Sequence, residues 1–154
     1  MREILFKAKR IDNGEWVEGS LFERRYADTN EVFAVYIVKD AYPQKRVQNF
    51  GDTPVLVSPM DGLCFVVDVN TICQYTGKTD KNGNMIWEND LVEVKSNKRH
   101  FISQIYWNDY CEGFMFQDTE TTFCGMDAFS DGGCYRFNNE VVGNAFDNAD
   151  LVKG

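Results

Sequence analysis

Apolar and polar positions alternate with a period of two along much of the chain, which is the pattern of half-buried β-strands. Ile4, Phe6 and Ala8 alternate with their neighbours, and the alternation resumes over residues 15–21. Asn13-Gly14 lies between these runs and predicts a tight hairpin corner. Residues 32–38 form a continuous apolar run rich in β-branched side chains, which predicts a buried strand.

The second half of the chain shows the same pattern in shorter pieces. Residues 91–94 alternate, residues 101–107 and 114–117 flank a polar loop, and residues 140–146 give a last strand. Residues 122–130 favour one short helix. Many short strands with frequent turns predict a mainly β (β-rich α+β) fold of antiparallel strands and hairpins. By analogy, the turn before residue 91 and the hairpin after it predict a small SH3-like barrel in the C-terminal part.

Prolines at 43 and 54 lie in a stretch with few periodic apolar residues, so the boundary between the N-terminal and C-terminal parts of the chain is expected there. We therefore predict an N-terminal β part over residues 1–60 and a barrel-like part over residues 61–154, with one continuous domain as the alternative. A chain of 154 residues can bury a core without a metal or a disulfide.

Charge and cysteine content narrow the functional classes. The net charge is −8, with +1 in residues 1–50 and −9 in the rest, and an acidic surface repels nucleic-acid phosphates. The five cysteines show no CxxC spacing, which favours reduced thiols in a cytoplasm. No apolar run reaches the roughly 20 residues of a membrane helix, and the N-terminus lacks a secretory pattern.

Candidate chemistry in the sequence is sparse. If Gly83 took position 6 of a calcium loop, Lys78 and Asn89 would stand where acidic ligands are required. Glu88 and Asp90 form a carboxylate pair, but turn residues of this type ordinarily bond nearby backbone N–H groups. His100 is the only histidine and has no recognisable nucleophile partner. We therefore predict no catalytic, metal or cofactor residues and no enzymatic activity.

Two sets of exposed side chains are candidate surfaces. The first is an aromatic set, since Trp and Tyr are over-represented at interface hot spots. It consists of Trp87, Tyr106, Trp107 and Tyr110. The alternative is that these side chains fill the core. The second set is a basic patch at a hairpin tip, which could contact nucleic acid: Lys95, Lys98, Arg99 and His100.

Three segments of the sequence resemble the YopX family: residues 2–8 with 14–21, residues 70–92, and residues 140–144 with Asn148 and Leu151. The middle segment is the most specific of the three, and its residues predict turns and a strand with a structural role. Asn89 stands in it where a glycine is usual, and asparagine is the next best residue for a left-handed backbone. The resemblance implies a β-rich protein of phages and prophages, acting in the cytoplasm of a bacterial host, without an activity that can be transferred.

We therefore expect a non-enzymatic protein that binds a host or phage protein or assembles with itself as a homo-oligomer. One alternative is an acidic imitation of DNA by residues 109–150, which would inhibit a basic nucleic-acid enzyme of the host. The other is weak nucleic-acid binding through the basic hairpin tips. No membrane association is expected.

Overall fold

The structure, a computed structural model, describes residues 4–39, 46–50, 53–57, 63–95, 100–117, 123–125 and 138–151. Its strand pairs are antiparallel, which confirms the mainly β fold. The chain divides into two compact units, Leu5–Ile72 and the part that begins at Cys73. The division into residues 1–60 and 61–154, or into one continuous domain, stays a prediction.

The described residues of the first unit form six strands: β1 (Phe6–Lys9), β2 (Trp16–Arg25), β3 (Val32–Val38), β4 (Arg46–Phe50), β5 (Thr53–Val57) and β6 (Cys64–Val66). Four of them form a sheet in the order β6-β3-β2-β1, and β4 pairs with β5. One face of the sheet packs a core whose buried members are Ala8, Val17, Val35, Ile37 and Val67. The predicted strand over residues 32–38 and the corner at Asn13-Gly14 are both present, with Gly14 at a φ of +73°.

The chain leaving β6 returns to the end of β1. Val67 bridges Arg10, and the backbone N–H of Asp68 donates to the carbonyl oxygen of Lys9 over 2.8 Å. Asp68 then caps a short 3-10 helix, Val69–Thr71, by accepting from the N–H of Asn70. This return places the β1–β2 turn beside the chain that follows β6.

The second unit contains β7 (Cys73–Thr79), β8 (Met85–Trp87), β9 (Asp90–Lys95), β10 (His100–Asn108), β11 (Gly113–Gln117), β12 (Phe123–Gly125) and β13 (Asn138–Asn144). The last five form a sheet in the order β12-β11-β10-β9-β13, and β7 pairs with β8. Its core consists of Ile86, Val92, Val94, Phe101, Ile105, Phe114 and Phe116, with Val141 packed against it.

Two sequence predictions about this unit need correction. In the part of the chain that the structure describes, β12 and β13 are the outer strands of an open sheet, so these strands form no closed barrel. Hairpin signals specify neighbouring pairs of strands but not whether the outermost strands meet. Of the stretch predicted as a short helix, residues 123–125 form β12, which pairs with β11, and its other residues lie outside the described residues. Among the described residues, no helix has the length and apolar character needed to cross a membrane.

Candidate functional site

The β2–β3 hairpin extends beyond the core of its unit as an arm. Leu21 and Val35 are the last residues on the two strands that take part in core packing. Every residue from 22 to 33 is exposed, and we call this segment the hairpin arm. It nevertheless carries large apolar side chains, since Phe22 is 50% and Tyr26 is 54% exposed.

Local contacts fix the shape of the arm. At its tip the N–H of Tyr26 donates to the carbonyl oxygen of Glu31, and Asn30 takes a φ of 59° to close the turn. Left-handed backbone of this kind is tolerated best by asparagine after glycine. Behind the tip, the rings of Tyr26 and Phe33 lie 4.7 Å apart, and the Arg24 guanidinium lies 5.4 Å from the Phe33 ring.

A groove opens at the base of the arm. Its cavity measures about 560 Å³ and lies between the start of β3, the β1–β2 turn and the chain that follows β6. The apolar groove is lined by five exposed side chains, which are Ile11 (66%), Val69 (56%), Phe33 (45%), Val32 (41%) and Val66 (41%). Exposed apolar side chains scattered singly are normal on a soluble protein, but several gathered at one cavity mark an interaction site.

The charges beside the groove are balanced locally. Arg10 makes ion pairs with Asp12 at 2.5 Å and with Glu15 at 3.9 Å. The hydrogen bond from Arg10 holds the pKa of the Asp12 carboxyl below its usual value, and the same bond raises the pKa of Arg10. On the arm, Arg25 pairs with Glu23 at 2.5 Å. The groove is therefore apolar, and the charges at its rim are largely paired.

The four predicted surface aromatics do not share one environment. Trp87 is 3% exposed and its ring lies 5.4 Å from that of Tyr75. It is therefore a core residue, which was the alternative to a surface role. Tyr106 is half-buried and its hydroxyl oxygen lies inside the unit. Trp107 and Tyr110 are 41% and 96% exposed at the β10–β11 hairpin. Only these last two present a surface, and their role in binding stays a prediction.

The basic patch is described only in part, because Lys98 and Arg99 lie outside the described residues. Lys95 on β9 and His100 on β10 lie opposite each other in the sheet. The Glu93 carboxylate lies 2.7 Å from Nζ of Lys95 and 2.7 Å from Nε2 of His100. The hydrogen bond from Lys95, followed by that from His100, lowers the pKa of the Glu93 carboxyl. Both side chains are therefore engaged by Glu93 within the sheet, Lys95 through an ion pair and His100 through a hydrogen bond.

Some acids of the 109–150 stretch are engaged within the unit. Glu140 pairs with Lys81 at 2.6 Å, and Asp109 accepts from the indole N–H of Trp107 at 3.0 Å. Both acids remain close to the surface, and imitation of DNA by this stretch stays a prediction. Among the described residues, no group of three or more His, Cys, Asp or Glu side chains is placed to hold a metal ion.

The segment with the most specific family resemblance holds the second unit together. The Asp80 carboxylate is buried and accepts from the N–H groups of Asn82, Asn84 and Val141 and from the Asn84 side chain, over 2.8–3.1 Å. It thereby ties the turn after β7 to β13, which is 61 residues away in sequence.

The turn that follows β8 makes a second tie. Asn89 has a φ of 64°, as expected for a residue that stands where a glycine is usual. Its backbone bonds Ile105 and Ala145, and its side-chain oxygen accepts from Gln104 over 2.9 Å. The buried Asp90 carboxylate accepts from the N–H of Trp87. Of the carboxylate pair considered above, Asp90 thus has a structural role.

Sequence reasoning missed the hairpin arm and the apolar groove. The sequence signal for the arm was present, because Phe22, Tyr26 and Phe33 flank a turn in strands too long for the core. The groove carried no such signal, because Ile11 lies in the β1–β2 turn whereas Val66 ends β6 and Val69 begins the 3-10 helix, and only the return of the chain to β1 brings them together.

Fold and surface together define an antiparallel β protein with an exposed hairpin arm and an apolar groove at its base. Over residues 5–153 the chain matches the family described as YopX protein, and it belongs to that family, as the resemblance predicted. It is also similar in structure to protein EF1440 from Enterococcus faecalis, whose crystal structure matches with a TM-score of 0.54 at 20% sequence identity over 99% of both chains. That similarity concerns the fold alone. A comparison with curated proteins gives no match.

Proposed function

We propose that this protein is a non-enzymatic interaction module of phage or prophage origin, which binds another protein through its hairpin arm and apolar groove in the host cytoplasm. The observation that carries the proposal is the convergence of exposed apolar side chains on one cavity. Removing such a surface from water is the main source of free energy in protein association.

The chemistry of the groove favours a protein as the ligand. Arg10 and Arg25, two cations near the groove, are already paired with acids of the same unit, so a nucleic acid gains little from them. Aromatic side chains on the neighbouring arm, Tyr26 and Phe33, are the type that anchors protein interfaces. The buried carboxylates of Asp80 and Asp90 accept bonds from backbone groups, which accounts for them without catalysis.

The proposal is tested by capture from host lysate with matched variants. Ile11→Ser removes an apolar side chain from the groove, and Ile4→Ser removes one of similar exposure, 61% against 66%, outside the groove. We expect the proteins captured by the unmodified chain to be retained by Ile4→Ser and lost by Ile11→Ser. Equal capture by both variants would show that the groove is not the binding surface. Circular dichroism of each variant confirms that the strands are intact.

A further inference from the structure

We infer that the occupant of the apolar groove is a second copy of this chain, with the hairpin arm of each copy seated in the groove of the other. The inference rests on the proposed function, because it names the partner of the same surface. It goes further in giving the symmetry of the complex and the segment that fills the groove.

The arm has the chemistry that the groove requires. The groove is an apolar cavity of about 560 Å³, which is within the range of sites that hold several side chains. The arm carries Phe22 and Tyr26, which are half exposed and which local contacts already hold in place. Aromatic side chains bury a large area while losing little conformational freedom.

The position of the arm makes the surface self-complementary. Val32 and Phe33 belong to the arm and also line the groove at its base. Arm and groove are therefore adjacent parts of one patch. A two-fold axis near Phe33 would place the arm of each copy over the groove of the other, as an isologous interface requires. Both grooves would then be filled, and the association would stop at a dimer.

Charge favours contact between two copies at this patch over other places on the surface. The chain carries a net charge of −8, so two copies repel each other in general. The arm has two bases against three acids and is nearly neutral. Because salt screens the general repulsion, dimer formation should strengthen as salt is added.

The test is sedimentation velocity of the full chain over a concentration series at low and high salt. We expect a monomer–dimer equilibrium that shifts toward the dimer in high salt. Tyr26→Asp, on the arm, and Ile11→Asp, in the groove, should each raise the dissociation constant at least tenfold. Tyr110→Asp, at an aromatic side chain of the other unit that is 96% exposed, should leave it unchanged.

Mixing the two variants separates arm-in-groove contact from any other mode of dimerisation. A pair of Tyr26→Asp with Ile11→Asp retains one intact arm and one intact groove that face each other, so the mixture should associate more tightly than either variant alone. A monomer at all concentrations up to about 1 mM, or a mixture no tighter than its components, would overturn the inference. If the chain is monomeric but Ile11→Ser still loses a protein from lysate, the proposed function stands and only the identity of the partner is wrong.

Discussion

The Asp80 carboxylate is the point at which a single-atom change should do most damage to the second unit. Its Oδ1 atom accepts from the N–H groups of Asn82 and Asn84, and its Oδ2 atom accepts from the Val141 N–H and the Asn84 side chain. Asp80→Asn keeps one of these oxygens and places an NH₂ group where two donors converge. The two hydrogen bonds to the replaced oxygen are lost, and the new NH₂ group faces the donors that made them.

The size of the effect follows from the burial and from the charge of the acceptor. Hydrogen bonds to charged groups contribute roughly 1.5–3 kcal/mol each, and a donor left without a partner costs a similar amount where water cannot reach it. The bonds of Asp80 are only partly buried, so some donors regain water. We therefore expect Asp80→Asn to lower the free energy of unfolding by about 2–4 kcal/mol at pH 7.

The loss should depend on pH in a defined direction. Burial raises the pKa of Asp80, but the hydrogen bonds from Val141, Asn84 and Asn82 outweigh it and leave the pKa below its ordinary value. Because the folded-state pKa is the lower one, the carboxylate stabilises the protein fully above the ordinary Asp value of about 4. This stabilisation disappears as the pH falls through the folded-state pKa. The difference between the two proteins should therefore shrink in acid.

The loss of unfolding free energy and its dependence on pH are measured by urea denaturation followed by circular dichroism. The measurement is repeated between roughly pH 3 and 7, the range of carboxylate titration. Asp150→Asn is the control, since Asp150 is exposed. The reasoning is refuted if Asp80→Asn matches the control at pH 7, or if its destabilisation is independent of pH. A changed slope of unfolding against urea would instead indicate a change in the compactness of the unfolded or folded state, or a failure of the two-state treatment.

Substitutions at three further positions test backbone features. A Cβ at Gly19, where φ is +155°, would overlap the carbonyl oxygen of Val38, so Gly19→Ala should cost about 2–5 kcal/mol in urea denaturation. Asn89 has a left-handed backbone, so Asn89→Gly should destabilise less than Asn89→Ala by about 1 kcal/mol in the same assay. A Cβ at Gly143 would overlap the Asn148 side chain, so Gly143→Ala should cost about 1–2 kcal/mol. In a double-mutant cycle, the same substitution should cost less in the Asn148→Ser background.

Gly113→Ala is the common control for the two other glycines. A Cβ there would lie 3.7 Å from the nearest atom, the carbonyl oxygen of Cys111, which is an ordinary contact. It should therefore be nearly neutral. Equal effects at Gly113 and Gly19 would show that the close approach of β2 to β3 is not what requires glycine at Gly19. If Asn89→Ala were milder than Asn89→Gly, the left-handed backbone would not be the reason for asparagine there.

The strands could be predicted from the sequence because their signals are local. The alternation over residues 91–94 and the apolar run over 32–38 each reflect contacts made within one sheet face, and both fall within observed strands. The left-handed conformation of Asn89 was expected from the family resemblance, because a glycine is usual at that place. The link from Asp80 to Val141 was not predictable, because nothing in the turn at Asp80 or in the strand at Val141 specifies a partner 61 residues away.

The candidate surface was mostly beyond sequence reasoning for the same reason. Trp87 and Trp107 are the same residue type in similar strand patterns, yet one is 3% and the other 41% exposed. Their difference comes from which strands cover them, and this depends on the assembled sheet. The groove at Ile11 and Val66 forms only where the return of the chain to β1 brings the end of β6 beside the β1–β2 turn.

The ties made by Asp80 and Asn89 have a consequence for how relatives of this protein are interpreted. The stretch that makes the family recognisable uses these side chains on hydrogen bonds inside the fold. Similarity in that stretch therefore reports a shared frame and carries no information about what the frame binds. Members that differ in the hairpin arm and groove can differ in partner while remaining equally recognisable, so binding must be compared at Ile11, Tyr26 and Phe33.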